Sequence, residues 1–178
     1  MKEKVKLLIC IFIGFFVVLF FILNSINNIS SLQKNVEVNR YLLYSNIGDY
    51  NDVIKQMIDI DNENYNNIDY STLSNINDKS LRLDQCIEEG DIEKINNAFD
   101  SLMSSSKVLK TISYNNSNEF FTFIIMETKL SSLETKIFIS QQNYNNSVKK
   151  YNQELVSFPT SIVSFLYGYN IIKYFDGN

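Results

Sequence analysis

The sequence predicts an all-α protein: an N-terminal transmembrane helix, an up-down-up-down antiparallel four-helix bundle, and a short C-terminal helical tail. Three observations carry this. First, stepping by seven from Phe123 lands on Leu130, Ile137, Tyr144, Tyr151 and Phe158 without a polar miss. A seven-residue repeat held that long lays one apolar seam along one helix, of about 40 residues and roughly 60 Å at 1.5 Å per residue. Second, such a seam needs partner helices, and the preceding chain holds three more amphipathic patterns. Third, among 178 residues only 5 are Gly and 1 is Pro, which argues against a turn-rich β chain.

The N-terminal element comes first. Residues 1–6 form a short segment holding Lys2, Lys4 and Lys6 against Glu3, a balance of +2. From Leu7 to Leu23 no residue is charged, at the short end of what a bilayer-crossing helix needs. A cleaved signal peptide, a lipoprotein signal and an uncleaved anchor compete. Phe20 to Asn28 offers no small-x-small cleavage pair, and Leu8-Ile9-Cys10 carries bulky Ile9 where a lipobox needs a small residue. An uncleaved anchor over residues 7–24 is therefore preferred, with the lipid bilayer as its partner. The lysines precede the span and the next one is Lys34, so the positive-inside rule puts the N-terminus in the cytoplasm and residues 25–178 outside it. The expected location is the cell membrane, single-pass.

Beyond the anchor, Ile29, Val36, Leu43, Tyr50 and Met57 step by seven, with Leu32, Ile47 and Ile54 alongside. This first bundle helix should continue from the span and end near Ile60, before a polar loop over Asp61–Asn67. A second helix is expected from about Thr72 to Glu89, capped by Ser71 or Thr72 and buried through Leu73, Ile76, Leu83 and Ile87. Gly90 stops it and Asp91 caps the third, where Ile92, Ile95, Phe99, Leu102 and Leu109 keep the helical spacing. Tyr114–Asn118 breaks the pattern, and Asn118-Glu119 opens the fourth helix. Short loops make the bundle antiparallel, so the fourth helix returns toward the lipid surface. The tail holds Phe165, Tyr167, Tyr169, Tyr174 and Phe175, suited to packing on the bundle end or to an interfacial belt. Packing is preferred, because Tyr and Phe recur within the seams.

Glu134-Thr135-Lys136-Ile137, Tyr144-Asn145-Asn146-Ser147-Val148, Tyr151-Asn152, Phe158-Pro159-Thr160-Ser161-Ile162, Gly168-Tyr169 and Tyr174-Phe175 follow one another over about 50 residues. This series resembles the C-terminal half of the bacterial LemA family, whose pattern reads E-x-x-I, YN-x-x-V-x-x-YN, FP-S-N, GF and YF. Asp52-Val53-Ile54 and Met57-Ile58 are similar to an N-terminal family segment. The resemblance implies a membrane-anchored, extracytoplasmic helical bundle with no established enzymatic activity. Some members sit beside membrane-bound zinc proteases or envelope-stress components, so an envelope protein partner is expected. Two departures stand out: Tyr50 and Gln141 occupy positions where the family carries arginines. Neutral internal contacts in place of ion pairs are the preferred explanation, with loss of a charge-dependent partner site as the other.

Chemistry is mostly excluded. The chain has no His, so His-based zinc sites and Ser–His or Cys–His nucleophiles are ruled out. Outside the first six residues the net charge is −6, from −4 overall less the local +2, which disfavours nucleic acid. Roughly one residue in seven is Asn, which is assigned no function. Glu127, Glu134 and Gln141 form one column, but a carboxylate di-metal bundle uses Glu-x-x-His pairs that are absent here. Neither metal nor any other cofactor is expected. Asp84, Glu88, Glu89, Asp91 and Glu93 lack calcium-loop spacing and read as a solvated acidic corner. Cys86 has no basic neighbour and reads as an ordinary half-buried residue, too distant in the pattern to pair with Cys10.

Tyr144-Asn145 and Tyr151-Asn152 are either core rings with bonded hydroxyls or a recognition ridge; core packing is preferred. The candidate interaction or signature residues are thus Glu134, Tyr144, Asn145, Tyr151, Asn152, Phe158, Pro159, Gly168 and Tyr169. The expected role is a non-catalytic interaction or scaffold module of the bacterial envelope. The alternative is a small-ligand-sensing input domain acting through a separate membrane partner, since no second span follows to Asn178. An enzyme is the weakest reading.

Overall fold

A computed structural model of the chain describes residues 2–64, 70–111 and 117–175. Among the described residues there is helix and no strand. The helices are α1 (Lys2–Asn64), α2 (Tyr70–Glu89), α3 (Ile92–Ser106), α4 (Ser117–Val156) and α5 (Thr160–Tyr167), with a 3-10 segment at Lys107–Thr111. They fall into two compact units, one of Met1–Val38 with Asn146–Ile172 and a bundle unit of Asn39–Asn145 with Lys173–Asn178. The two long helices α1 and α4 contribute to both.

The bundle unit contains the second half of α1, all of α2 and α3, and the first part of α4. Its core is drawn from the repeats: Leu43, Ile47, Tyr50, Ile54 and Met57 of α1 meet Leu73, Ile76 and Leu83 of α2, Ile95, Phe99 and Leu102 of α3, and Phe123, Leu130, Leu133 and Ile137 of α4, all buried. Polar contacts fix the directions. Tyr44 donates to Gly90 O at 3.4 Å, and two turns further on Asn51 donates to Asp84 at 2.7 Å, so α2 runs against α1. Gly90 takes φ +71°, outside the range comfortable for residues with a Cβ, and its N–H returns to Cys86 O and Ile87 O. Asp91 follows at once and caps α3 by accepting from the N–H groups of Glu93 and Lys94 at 3.1 and 3.3 Å. Two residues between helices leave α3 antiparallel to α2, tied by Lys79 to Ser105 and Glu89 to Lys94.

The other unit places the start of α1 against the end of α4 and α5. Ser25, Ile29 and Val36 of α1 are buried, as are Val148, Tyr151 and Leu155 of α4. Earlier in α1 the apolar run is bare, with side chains from Leu8 to Leu23 exposed almost without exception.

Several boundaries differ from expectation. The α4 seam stops at Tyr151 and Leu155, since the helix ends at Val156 and Phe158 is 83% exposed. The cause is local: Pro159 disfavours helical geometry in the residue before it, and Ser157 N–H already tightens to Glu154 O. α1 continues to Asn64, four residues into the expected loop, while Tyr65–Asn67 lie outside the described residues. α2 begins at Tyr70, so Ser71 and Thr72 sit within its first turn and neither is the cap. Leu109 is buried, but in the 3-10 segment after α3, and Ile87 is only half-buried. Of the expected break at Tyr114–Asn118, residues 114–116 lie outside the described residues, and α4 opens at Ser117. Cys86 is fully buried rather than half-buried, and both it and Cys10 are free thiols.

Removing the α3 cap with Asp91→Ala should cost about 1 kcal/mol. A urea titration should show a lower midpoint with unchanged slope.

Candidate functional site

Four of the signature residues, Tyr144, Asn145, Tyr151 and Asn152, lie on α4, two in each unit. In the bundle unit Tyr144 is 1% exposed and its hydroxyl donates to Lys173 O at 2.9 Å. Beside it, Asn145 Nδ2 donates to Phe175 O at 3.0 Å while Phe175 N–H donates back to Asn145 Oδ1 at 2.9 Å. The Phe175 ring is buried, and Lys173 reaches Glu93 at 2.8 Å. In the other unit Asn152 repeats the arrangement on Ile172, donating to its carbonyl at 2.9 Å and accepting from its N–H at 3.0 Å. Tyr151 is 2% exposed next to it.

A carboxamide carries one acceptor and one donor side by side, as a peptide group does. Each asparagine therefore treats one tail residue as a neighbouring strand would. In each unit a Tyr-Asn pair of α4 has its tyrosine buried and its asparagine bonded to one residue of the tail.

The corner between α4 and α5 is built from hydroxyls. Thr160 donates to Glu154 Oε1 at 2.9 Å and lies 3.4 Å from Ser25 Oγ on α1, both hydroxyl residues being buried. Ser164 donates to Leu155 O at 2.8 Å. The Phe158–Pro159 peptide is cis, and Pro159 is half-buried. Gly168 ends α5 with φ +72°, and Tyr169 N–H closes the turn on Ser164 O at 3.0 Å. Between α1 and α5 lies an apolar groove of about 500 Å³, walled by Val18, Phe21 and Ile22 on one side and Ile162, Val163 and Leu166 on the other. Sequence reading did not find this groove. Its signal was present as a charge-free stretch from Ser157 to Ile172.

The tail is divided. Phe175 is buried and Tyr169 and Tyr174 are half-buried, as packing requires, but Phe165 is 86% exposed and Tyr167 is exposed too. Packing therefore describes the end of the tail and not α5.

Elsewhere in the bundle unit Glu134, Glu127 and Gln141 are half-buried on α4. Among the described residues no group of three acidic or cysteine side chains converges in a way that could hold a metal ion. The acidic corner is distributed over separate tasks. Asp84 takes Lys55 at 2.6 Å, Glu89 takes Lys94 at 2.7 Å, Asp91 caps a helix and Glu93 takes Lys173. Tyr50 is fully buried, edge-on to Phe99 at 5.5 Å and 3.2 Å from Ser106 Oγ. These contacts of Tyr50 are neutral. A polar cleft of about 530 Å³ between α2 and α3 is lined by Lys79, Arg82, Glu89 and Lys94, among others.

Among the displaced titrations, two belong to groups that are at least partly buried. Burial pushes the Tyr151 phenol up, with nearby Tyr169 adding to it. For Lys55 burial acts downward, but the hydrogen bond and charge of Asp84, helped by Asp52, outweigh it and raise the ammonium.

The described residues define an all-α protein with a long apolar helix at its N-terminal end and a helical bundle. The family profile of the LemA family matches residues 52–178. The chain belongs to the LemA family. No curated protein sequence matches it.

Tyr151→Ala should cost about 3–5 kcal/mol, the range for large aromatic truncations in a core, visible as a lower melting temperature. The near-isosteric Asn152→Asp keeps the acceptor for Ile172 N–H and, when ionised, loses the donor to its carbonyl. At neutral pH it should cost about 1–3 kcal/mol and speed amide exchange in the tail. At alkaline pH the unfolded chain releases protons from its tyrosine and lysine side chains that folded Tyr151 and Lys55 keep. Stability should then fall as pH rises above about 10, and less steeply in Tyr151→Phe, as chemical denaturation across that range would reveal.

Proposed function

We propose that the protein is a membrane-anchored, non-catalytic interaction module of the bacterial envelope. Its anchor would be residues 7–24, with the N-terminus in the cytoplasm and the bundle outside. The observation that carries this reading is the state of the apolar run. It is long and apolar enough to cross a bilayer, and none of it is buried against the rest of the chain. A core helix of a water-soluble protein would be covered. A cleavable signal would end in a detachable segment, whereas here α1 passes unbroken through Ser25 and Ile29, both buried in the folded unit. The absence of histidine from the sequence removes the commonest general base and metal ligand, which supports binding over catalysis. Exposed apolar side chains on the bundle, among them Tyr41, Leu81 and Phe138, offer contacts for an envelope protein.

A second reading has one observation in its favour. The α2–α3 cleft sets three cations against one carboxylate, suited to a small anion, as a sensing domain would need. Thermal unfolding with millimolar inorganic phosphate or citrate tests it. A higher melting temperature that Arg82→Glu abolishes would favour sensing.

For the primary reading, the chain should stay in the membrane pellet through alkaline carbonate extraction. With Cys10 retained and Cys86 buried, a cysteine placed by Asn75→Cys should react in intact cells with a membrane-impermeant maleimide. Release by carbonate would overturn the anchor, and labelling only after lysis would reverse the topology. Photocrosslinkers at Tyr41, Leu81 and Phe138 should then yield a discrete adduct with another envelope protein, and none at any of these sites would sink the interaction role.

A further inference from the structure

α5 is built the wrong way round for water. Its buried positions are Thr160, Val163 and Ser164, two of the three bearing hydroxyls. Its outward positions are Ile162, Phe165 and Leu166, and Phe158 precedes them on the same spacing at 83% exposed. A surface helix of a water-soluble domain shows the opposite polarity. Isolated exposed apolar residues are ordinary, but a continuous patch marks an interaction surface. Here Phe158, Ile162, Phe165, Leu166, Tyr167 and Ile171 all project outward, and from Ser157 to Ile172 there is no charged residue.

We propose that α5 is immersed in the outer part of the lipid bilayer beside the anchor, and that the groove between α5 and α1 holds a lipid acyl chain. This rests on the reading of residues 7–24 as a membrane span. The groove points to lipid because one side of its wall is the span itself. Val18, Phe21 and Ile22 belong to the apolar run, so any lipid around the run meets the groove directly. Val18 lies six residues before Asn24, about 9 Å along the helix axis. That matches the 5–10 Å to which interfacial helices sink. With eight residues, α5 is about 12 Å long and cannot cross a hydrocarbon core of about 30 Å.

Backbone chemistry agrees. Lipid offers no partners for free N–H or C=O groups, and the ends of α5 supply their own. Ser161 N–H bonds Ser157 O at 2.7 Å, Ile162 N–H bonds Pro159 O at 3.1 Å, and Tyr169 N–H bonds Ser164 O at 3.0 Å. Pro159 has no N–H to satisfy. The hydroxyls of Thr160 and Ser164 bond inward, which leaves the outer face apolar.

The chain contains no tryptophan, so a single introduced indole reports without background. Full-length protein in nanodiscs is compared in ordinary phosphatidylcholine and in the same lipid brominated on its acyl chains. Phe165→Trp probes the outer face, Tyr167→Trp the groove, Phe16→Trp the span, and Tyr41→Trp a position about 25 Å of helix beyond Asn24. Circular dichroism checks that each variant retains its helix. In brominated lipid Phe165→Trp, Tyr167→Trp and Phe16→Trp should lose most of their emission, and Tyr41→Trp should keep it. Quenching at Phe16 without quenching at Phe165 overturns the inference and leaves the anchor standing. Loss of quenching at Phe16 as well overturns both. Quenching at Phe165 but not at Tyr167 removes the acyl chain from the groove. An unquenched, blue-shifted Phe165→Trp in a dimeric particle would assign the face to a second copy of the chain instead.

Discussion

An extended chain segment outside any sheet has a supply problem: each residue brings an N–H and a C=O, and burial leaves both without water. The segment after α5 solves it with side chains of α4. Asn145 serves both groups of Phe175, and Asn152 both groups of Ile172. The tail can then bury Phe175 without orphaned polar groups at these residues. The adjoining tyrosines occupy the core through the same repeat. One periodicity thus serves two purposes, with the rings of Tyr144 and Tyr151 buried and the asparagines one position on bonded to the tail, which the Tyr144 hydroxyl also reaches. Aspartate could not replace asparagine here at neutral pH, since its carboxylate lacks a donor, and neither could leucine of similar volume.

Two polarity patterns run through the chain. In the bundle unit apolar residues converge and charged ones face out, and the ion pairs Lys55–Asp84, Lys94–Glu89 and Lys173–Glu93 all keep partial or full contact with water. Such pairs contribute little individually; burial of the seams carries the stability. In the first part of α1 and in α5 the order is reversed, with apolar side chains outward and hydroxyls inward. The run of exposed apolar side chains and the buried heptad column lie on one and the same helix, α1.

Much of this was legible before any coordinates. The heptad columns of α1 and α4 named most of the buried residues, because a packed helix must present the same face every two turns. Gly90 and Asp91 marked the α2–α3 turn through chemistry that acts within four residues. What stayed hidden depends on contacts distant in the chain. Asn145 and Asn152 looked like polar company for tyrosines, since nothing local says that a segment 20 to 30 residues later will lie beside them. Cys86 and Ile87 exchanged burial for a similar reason: the helix phase was readable, but its rotation against α1 and α3 was not. Phe158 fitted the repeat as a letter and left it as a residue, because Pro159 ends the helix first.

α5 shows the limit of pattern reading most clearly. Periodicity reports that a helix has two faces, and the usual inference assigns the apolar face to the interior. That step assumes water outside. In α5 the hydroxyls of Thr160 and Ser164 lie on the buried side, where each has a protein partner. An apolar side chain gives up little by facing lipid, whereas a hydroxyl there gives up a hydrogen bond. The same amphipathic helix can therefore be folded either way round, and the medium selects between the two. In this chain the aromatic residues after Pro159 need not be divided between core and interface by type. Their division follows from the backbone around them: Phe175 is buried where Asn145 holds its main chain, while Phe165 stands on the exposed face of α5.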